Sequence, residues 1–144
     1  MIAMLDASAL LAILRGEPGA DDAAALAKDG ACITAINFAE VRDQAIRSYP
    51  DQPGAADVVD RFLDRRTVVV VCDEVLARRA AALRGRFYER RSRPVSLADC
   101  FAIAAAEARG TPLVTSDADQ AAVARSVGVE VLAIANSAGV RPEG

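Results

Sequence analysis

Four acidic residues of this chain, Asp6, Glu40, Asp99 and Asp117, fall where carboxylates can act together, and a fifth, Asp119, stands beside the last of them. Asp6 follows the apolar run of residues 1–5, and Asp117 follows Leu113-Val114-Thr115. Glu40 lies three residues after Asn37, and Asp99 three after Ser96. Both spacings resemble a capping box, in which the residue opening a helix and the third helical residue bind each other's backbone N–H. Helix starts favour negative charge by about 0.3–1 kcal/mol each, so capping accounts for any one of these acids taken alone. It accounts least well for Asp99, because residues 100–106 are seven apolar residues in a row, the pattern of a helix buried on nearly all sides. A carboxylate at the head of such a helix is poorly solvated and must be protonated, paired or bound to a cation. If the four acids converge, a divalent cation offsets their mutual repulsion.

The rest of the composition narrows the chemistry. Histidine is absent, which removes the usual general base, the Ser-His and Cys-His nucleophile pairs and His-containing zinc sites. Cys32, Cys72 and Cys100 are far apart in apolar runs and read as reduced, buried thiols. No G-x-x-x-x-G-K-[ST] pattern occurs, which argues against nucleoside triphosphate use. The net charge of −3 argues weakly against a nucleic-acid partner, but setting the five acids aside leaves 17 basic against 15 acidic residues. Residues 78–93 carry seven arginines against one acid, Glu89. Arg84, Arg86, Arg90, Arg91 and Arg93 are therefore candidates to hold the phosphates of a nucleic acid, with Tyr88 as a stacking surface. A solvated helix face that meets a protein partner fits the same residues. Ser8, Thr115 and Ser116 stand where a hydroxyl either caps a helix or bonds to the carboxylates or a phosphate.

The elements that must position these residues follow from periodicity and breakers. Residues 1–5, 31–34, 67–72, 113–115 and 129–134 read as strands, the third on its four consecutive valines. Helices are expected over residues 7–14, 20–28 with Gly30 as a left-handed cap, 37–49 opened by Asn37, and from Pro53 to 65. Three more are expected over 73–93 capped by Asp73, 96–109 opened by Ser96, and 117–126. Five strands alternating with helices predict an α/β fold with a mainly parallel sheet, in which ligands bind beyond the strand C-termini. With 144 residues, 53% of them hydrophobic, one domain over residues 1–135 with a fraying polar tail over 136–144 is expected. The first apolar run is interrupted by Asp6 and stopped by Arg15, and no window approaches the roughly 18 apolar residues of a membrane span. A cytoplasmic protein without membrane partners is the expectation.

The motifs Leu-Asp6-Ala-Ser8-Ala-Leu, Ile-Asn37-Phe-Ala-Glu40-Val, Leu-Ala-Asp99-Cys and Val-Thr115-Ser-Asp117, in this order, resemble those of PIN-domain nucleases, and more narrowly of VapC-type toxins of toxin-antitoxin pairs. The resemblance runs from about residue 2 to 134. It implies a three-layer α/β/α fold with sheet order 3-2-1-4-5, and a Mg2+ or Mn2+ site formed by Asp6, Glu40, Asp99 and Asp117. Asp119 matches a position that varies in the family, either an auxiliary ligand or a solvated helix residue. The implied activity is endoribonuclease cleavage of RNA leaving 5′-phosphate and 3′-hydroxyl ends; the implied partners are a cognate antitoxin and a second copy of the chain. A non-catalytic PIN-like binding module remains open. So does a HAD-like phosphatase, although Asp6-Ala7-Ser8 lacks that family's second aspartate and Lys28 is the only lysine.

Overall fold

A computed structural model describes residues 2–144, apart from the side chains at 64 and 65. The strands are β1 (Ala3–Leu5), β2 (Ala31–Thr34), β3 (Thr67–Val70), β4 (Leu113–Thr115) and β5 (Val131–Ala133). The helices are α1 (Ala7–Arg15), α2 (Ala20–Leu26), α3 (Ala35–Ser48), α4 (Ala55–Arg66), α5 (Glu74–Phe87), α6 (Leu97–Arg109) and α7 (Ala118–Ser126). All strand pairs are parallel, in the order β3-β2-β1-β4-β5. This is the expected order.

Alternation along the strands builds the layers. Met4, Cys32 and Leu113 point to one face, where they meet Leu76, Ala80 and Leu83 of α5, Cys100–Ala106 of α6, and Val123 and Ala124 of α7. Ala3, Leu5, Ala31 and Val114 point to the other face, against Ala9 and Ala12 of α1 and Ala23 of α2. Ile33 on that same face joins Leu10, Val41, Val59 and Leu63 from α1, α3 and α4. The result is a three-layer α/β/α fold with both faces of the central strands dry. Residues 100–106 of α6 are all buried, as their composition demands.

Several boundaries differ from expectation. The third helix starts at Ala35, because Thr34 at the end of β2 serves as its cap; Asn37 is the third helical residue. The valine strand is an edge strand that pairs only with β2 and stops at Val70. Its side chains are therefore half exposed, and Val71 and Val75 just beyond it are 78% and 76% exposed. α2 ends at Leu26 and is followed by a turn, so Gly30 adopts φ +126 ahead of β2 and does not cap the helix. α5 ends at Phe87, well short of Arg93: Glu89 and Arg93 exchange backbone hydrogen bonds of 2.9 and 2.8 Å and put Arg90 and Arg91 at the tip of a tight loop. The tail touches the rest of the chain: Arg141 pairs with Asp22, Pro142 is buried and Arg125 donates to the Glu143 carbonyl. Position 1 of the first expected strand lies outside the described residues. Among the described residues no helix is long and apolar enough to cross a membrane.

Candidate functional site

β1 and β4 lie side by side, with Leu5 in register with Val114. Asp6 and Thr115, the next residue of each strand, therefore meet at the C-terminal edge of the sheet, between the two strands where its order turns. Asp6 is only 3% exposed and caps α1, its Oδ1 accepting the Ala9 N–H at 2.8 Å. The Thr115 hydroxyl donates to its Oδ2 at 2.7 Å, and the Ser8 hydroxyl is shared between both oxygens at 2.7 and 2.8 Å. The same two hydroxyls accept backbone N–H groups from the β4–α7 junction, Ser8 from Ser116 at 3.1 Å and Thr115 from Asp117 at 3.0 Å. Ser8 and Thr115 thus clasp the two strand ends together. Ser116 contributes its backbone N–H, and its hydroxyl makes no hydrogen bond among the described residues.

Of the other three acids, Asp99 and Asp117 stand at helix starts and Glu40 lies in the second turn of α3. Asp99 completes a capping box with Ser96: its Oδ2 accepts the Ser96 N–H at 2.9 Å, while Ser96 Oγ accepts the Asp99 N–H at 3.0 Å. Asp117 caps α7 through its Oδ1, which accepts the Gln120 N–H at 2.8 Å. Glu40 is not part of a capping box, because Asn37 already lies inside α3; instead Asn37 Nδ2 donates to Glu40 Oε2 at 2.9 Å. Asn37 is in turn fixed by the Thr34 hydroxyl, which donates to its Oδ1 at 2.9 Å. Among the described residues, Glu40, Asp99 and Asp117 each have one oxygen engaged by a local donor and the other without one.

The acids feel each other. Burial pushes the Asp6 carboxyl from its ordinary value of 3.8 up to about 7, against the lowering effect of its hydrogen bonds, and the charge of Asp99 adds to the rise. Asp99 is itself raised, first by burial and then by the charges of Asp117 and Glu40, against the hydrogen bond from Ser96. Asp99 is thus the centre of the cluster. The donors are all carboxylate oxygen, a set that suits Mg2+ or Mn2+ and not a softer metal. Among the described residues no three acids already stand at chelating distance of one point. One oxygen each of Glu40, Asp99 and Asp117 is held by a local donor, and both oxygens of Asp6 are engaged.

The PIN domain profile matches residues 3–126. The chain belongs to the PIN domain family. The fold of this PIN domain is similar to that of a chain in a toxin-antitoxin complex from Klebsiella pneumoniae, at 20% identity and a TM-score of 0.69, covering 90% of this chain and 95% of the other. It is similar to Mycobacterium tuberculosis VapC20, described as a Sarcin-Ricin loop cleaving toxin, at 18% identity and a TM-score of 0.69 over 99% of this chain and 100% of that one. A chain of the DNA-bound VapBC of Salmonella typhimurium matches at 24% identity and a TM-score of 0.69, over 92% and 98%. No curated protein matches the chain.

The remaining candidates separate. Asp119 lies half buried in the first turn of α7, and no described contact joins it to the four acids. The arginines divide in two: Arg78 pairs with Glu74, and Arg79 grips Glu107 of α6 bidentately at 2.7 and 2.8 Å. Arg84, Arg86, Arg90, Arg91 and Arg93 form no ion pair among the described residues. Arg79 reaches the end of α6, whereas Arg84 donates to the Val95 carbonyl just before its start, at 3.2 Å. α5 therefore runs antiparallel to α6, and its unpaired arginines cluster at the end where Asp99 stands.

Gln120 was not singled out by sequence reasoning. It is fully buried, its Nε2 donates to the Asp99 backbone carbonyl at 3.2 Å, and its own N–H is capped by Asp117. Gln120 thereby ties the start of α7 to the start of α6 and fixes Asp117 relative to Asp99. Its Oε1 has no hydrogen-bond partner among the described residues. The available signal was Asp117-x-x-Gln120, which has capping-box spacing; here the glutamine turns inward and does not reach back to its own cap.

Proposed function

We propose that this PIN domain is a Mg2+- or Mn2+-dependent endoribonuclease, the toxin of a toxin-antitoxin pair, that hydrolyses RNA phosphodiesters to 5′-phosphate and 3′-hydroxyl ends. The observation that carries the reading is the coupled acid cluster: Asp99 raised by Asp117 and Glu40, and Asp6 raised by burial and by Asp99, in a chain without histidine. Asp6, Glu40, Asp99 and Asp117 would hold the cation. When bound, it supplies water activation at neutral pH and neutralises charge on the scissile phosphate. The chain's own part is positioning. Ser8 and Thr115 orient the Asp6 carboxylate, Asn37 and Ser96 each steer one oxygen of Glu40 and Asp99, and Gln120 sets the spacing of Asp99 and Asp117. The unpaired arginines of α5 and its loop offset the repulsion between RNA and the acids, and water as nucleophile predicts the ends given above.

An antitoxin partner is supported by two of the similar chains, which come from a toxin-antitoxin complex and from a DNA-bound VapBC, and two apolar surfaces support the partners proposed here. One is the groove lined by Leu11, Leu14, Ala45, Tyr49, Val58 and Val59 between α1, α3 and α4, which suits an apolar helix of an antitoxin. The other is the exposed valine surface of the β3 edge and Val71 and Val75, which suits a second copy. The test is to incubate the purified chain with a mixed RNA pool, with and without Mg2+, and to map the ends formed, using Asp99→Asn as control. Metal-dependent 5′-phosphate ends that vanish in the variant are expected. Cyclic 2′,3′-phosphate ends, or equal cleavage by the variant, would refute it. The competing reading, a non-catalytic binding module, draws on the absence of a preset triad of acids among the described residues. It predicts no cleavage under any metal.

A further inference from the structure

Gly85 lies in the last turn of α5, where glycine costs about 0.5–1 kcal/mol relative to alanine. Neither usual reason for a glycine applies. It is not among the glycines with positive φ, and, its chain neighbours and its own helix backbone aside, no atom of the described residues lies within 4 Å of the place where a Cβ would stand. That place opens instead into a cleft of about 350 Å3 lined by Ala81, Arg84, Gly85, Tyr88 and Leu97. Ala81, Gly85 and Tyr88 fall on one stripe at spacings of four and three, so they form its floor and one end, and Leu97 of α6 forms the facing wall. Tyr88 and Leu97 are 40% and 46% exposed, large apolar surfaces kept in solvent. The Arg84 guanidinium stacks 4.2 Å from the Tyr88 ring centroid, and its bond to the Val95 carbonyl holds it there.

A fixed aromatic-guanidinium pair opposite an aliphatic wall is the surface on which an unpaired base stacks. The same segment of the chain carries Arg86, Arg90, Arg91 and Arg93, which form no ion pair among the described residues and suit a phosphate backbone. The cleft lies at the end of α6 that carries Asp99, since Leu97 opens this helix two residues before it. On the ribonuclease reading above, we propose that this cleft takes one unpaired base of the RNA strand beside the scissile phosphate, stacked on the Arg84–Tyr88 pair, and that Gly85 is without a side chain to keep its floor open.

The experiment measures binding of a short single-stranded RNA, and of the same RNA with one abasic position, by fluorescence anisotropy. Both are tested in the full chain carrying Asp99→Asn to suppress cleavage. Gly85→Leu is expected to keep or raise the melting temperature, as replacing a helical glycine should, yet to weaken RNA binding about tenfold, the worth of one stacked base. Tyr88→Ala should weaken it similarly, with Tyr88→Phe restoring the loss. An RNA abasic at the docked position should bind the parent chain no better than intact RNA binds Gly85→Leu. Unchanged affinity in both Gly85→Leu and Tyr88→Ala, while charge reversal at Arg90 and Arg91 weakens binding, would overturn the cleft and leave the ribonuclease reading standing. A parent chain that neither binds nor cuts RNA would overturn both. If Gly85→Leu left RNA binding intact and converted a dimer to a monomer in sedimentation, the cleft would be a contact between copies, and the proposal would be wrong.

Discussion

The buried Asp6 makes the metal-free protein an unusual titration system, and the direction can be worked out. Its carboxyl is held at about 7 in the native state against 3.8 when exposed, so between these values the native state binds a proton that the unfolded state has released. Stability then falls as pH rises: the contribution is complete below the unfolded value and gone above the native one. For these values, linkage gives a loss of about 2.5 kcal/mol between pH 5 and pH 8. Asp99, raised by burial and by its acidic neighbours, acts in the same direction. Asp43 and Glu107 are lowered by their hydrogen bonds to Arg47 and Arg79, and they titrate below this window. The perturbation is Asp6→Asn, which removes the charge. At pH 8 it spares the native state an ionisation cost of about 4 kcal/mol and spends about 1–2 kcal/mol on an amide N–H2 facing the Ser8 and Thr115 hydroxyls. Urea unfolding at pH 5 and pH 8 in EDTA is the assay. The wild type should lose about 2.5 kcal/mol or more across the interval, the variant about 1 kcal/mol or less, and the variant should be the more stable protein at pH 8 while being unable to cut RNA. Mg2+ at pH 8 should restore the wild type and leave the variant nearly unmoved. A wild type equally stable at both pH values would refute the reasoning, because no burial of an ionising carboxylate could then be at work.

Three further outcomes are expected. Charge reversal of Arg90 and Arg91 together should weaken RNA binding and reduce the dependence of log affinity on log salt by about 1.4, the value for two phosphate contacts on a single strand; an unchanged slope would return these residues to the role of a solvated loop. Gln120→Met keeps the volume of the side chain and deletes its tie to Asp99, so cleavage should drop at least about tenfold while the melting temperature moves by only a few degrees; full activity would show that the spacing of Asp99 and Asp117 is set elsewhere. Val71→Asp with Val75→Asp should convert a dimer into a monomer in sedimentation without loss of helical signal, and a dimer that survives both would place the contact between copies on another surface.

The fold was readable because local signals agreed: alternating strands and helices, and a seven-residue apolar run for the most buried helix. Asp6, Asp99 and Asp117 were readable as strand-end and helix-start residues, whereas Glu40 lies in the second turn of α3, and the charges of Asp117 and Glu40 both reach Asp99. Other features depended on contacts that sequence separation hides. Thr34 took the cap expected of Asn37, because a strand ending in threonine can run directly into a helix, and Asn37 then became the residue that steers Glu40. Four valines spell a strand, but only the neighbour count of the sheet decides that it lies at the edge. The arginine-rich segment read as one long helix, whereas the backbone pairing of Glu89 with Arg93 breaks it and sorts its cations into paired and unpaired groups. Gln120 was hidden because the same spacing describes an ordinary cap.

The clasp between Asp6 and Thr115 joins residues 109 positions apart, and it governs when in the life of the chain the site exists. β1 is made first, yet it sits in the middle of the sheet and waits for β4 to close its open side. A chain that ends or has emerged only as far as residue 112 already holds Asp6, Glu40 and Asp99, but it lacks Asp117, Gln120 and the hydroxyl that orients Asp6. Such a chain carries three of the four acids, with Ser8, Asn37 and Ser96 to steer them, but without the Thr115 hydroxyl and the tie from Gln120. The order of synthesis thus acts as a timer, and the site is assembled only at the end, by the slowest kind of contact a chain makes, one between its distant ends.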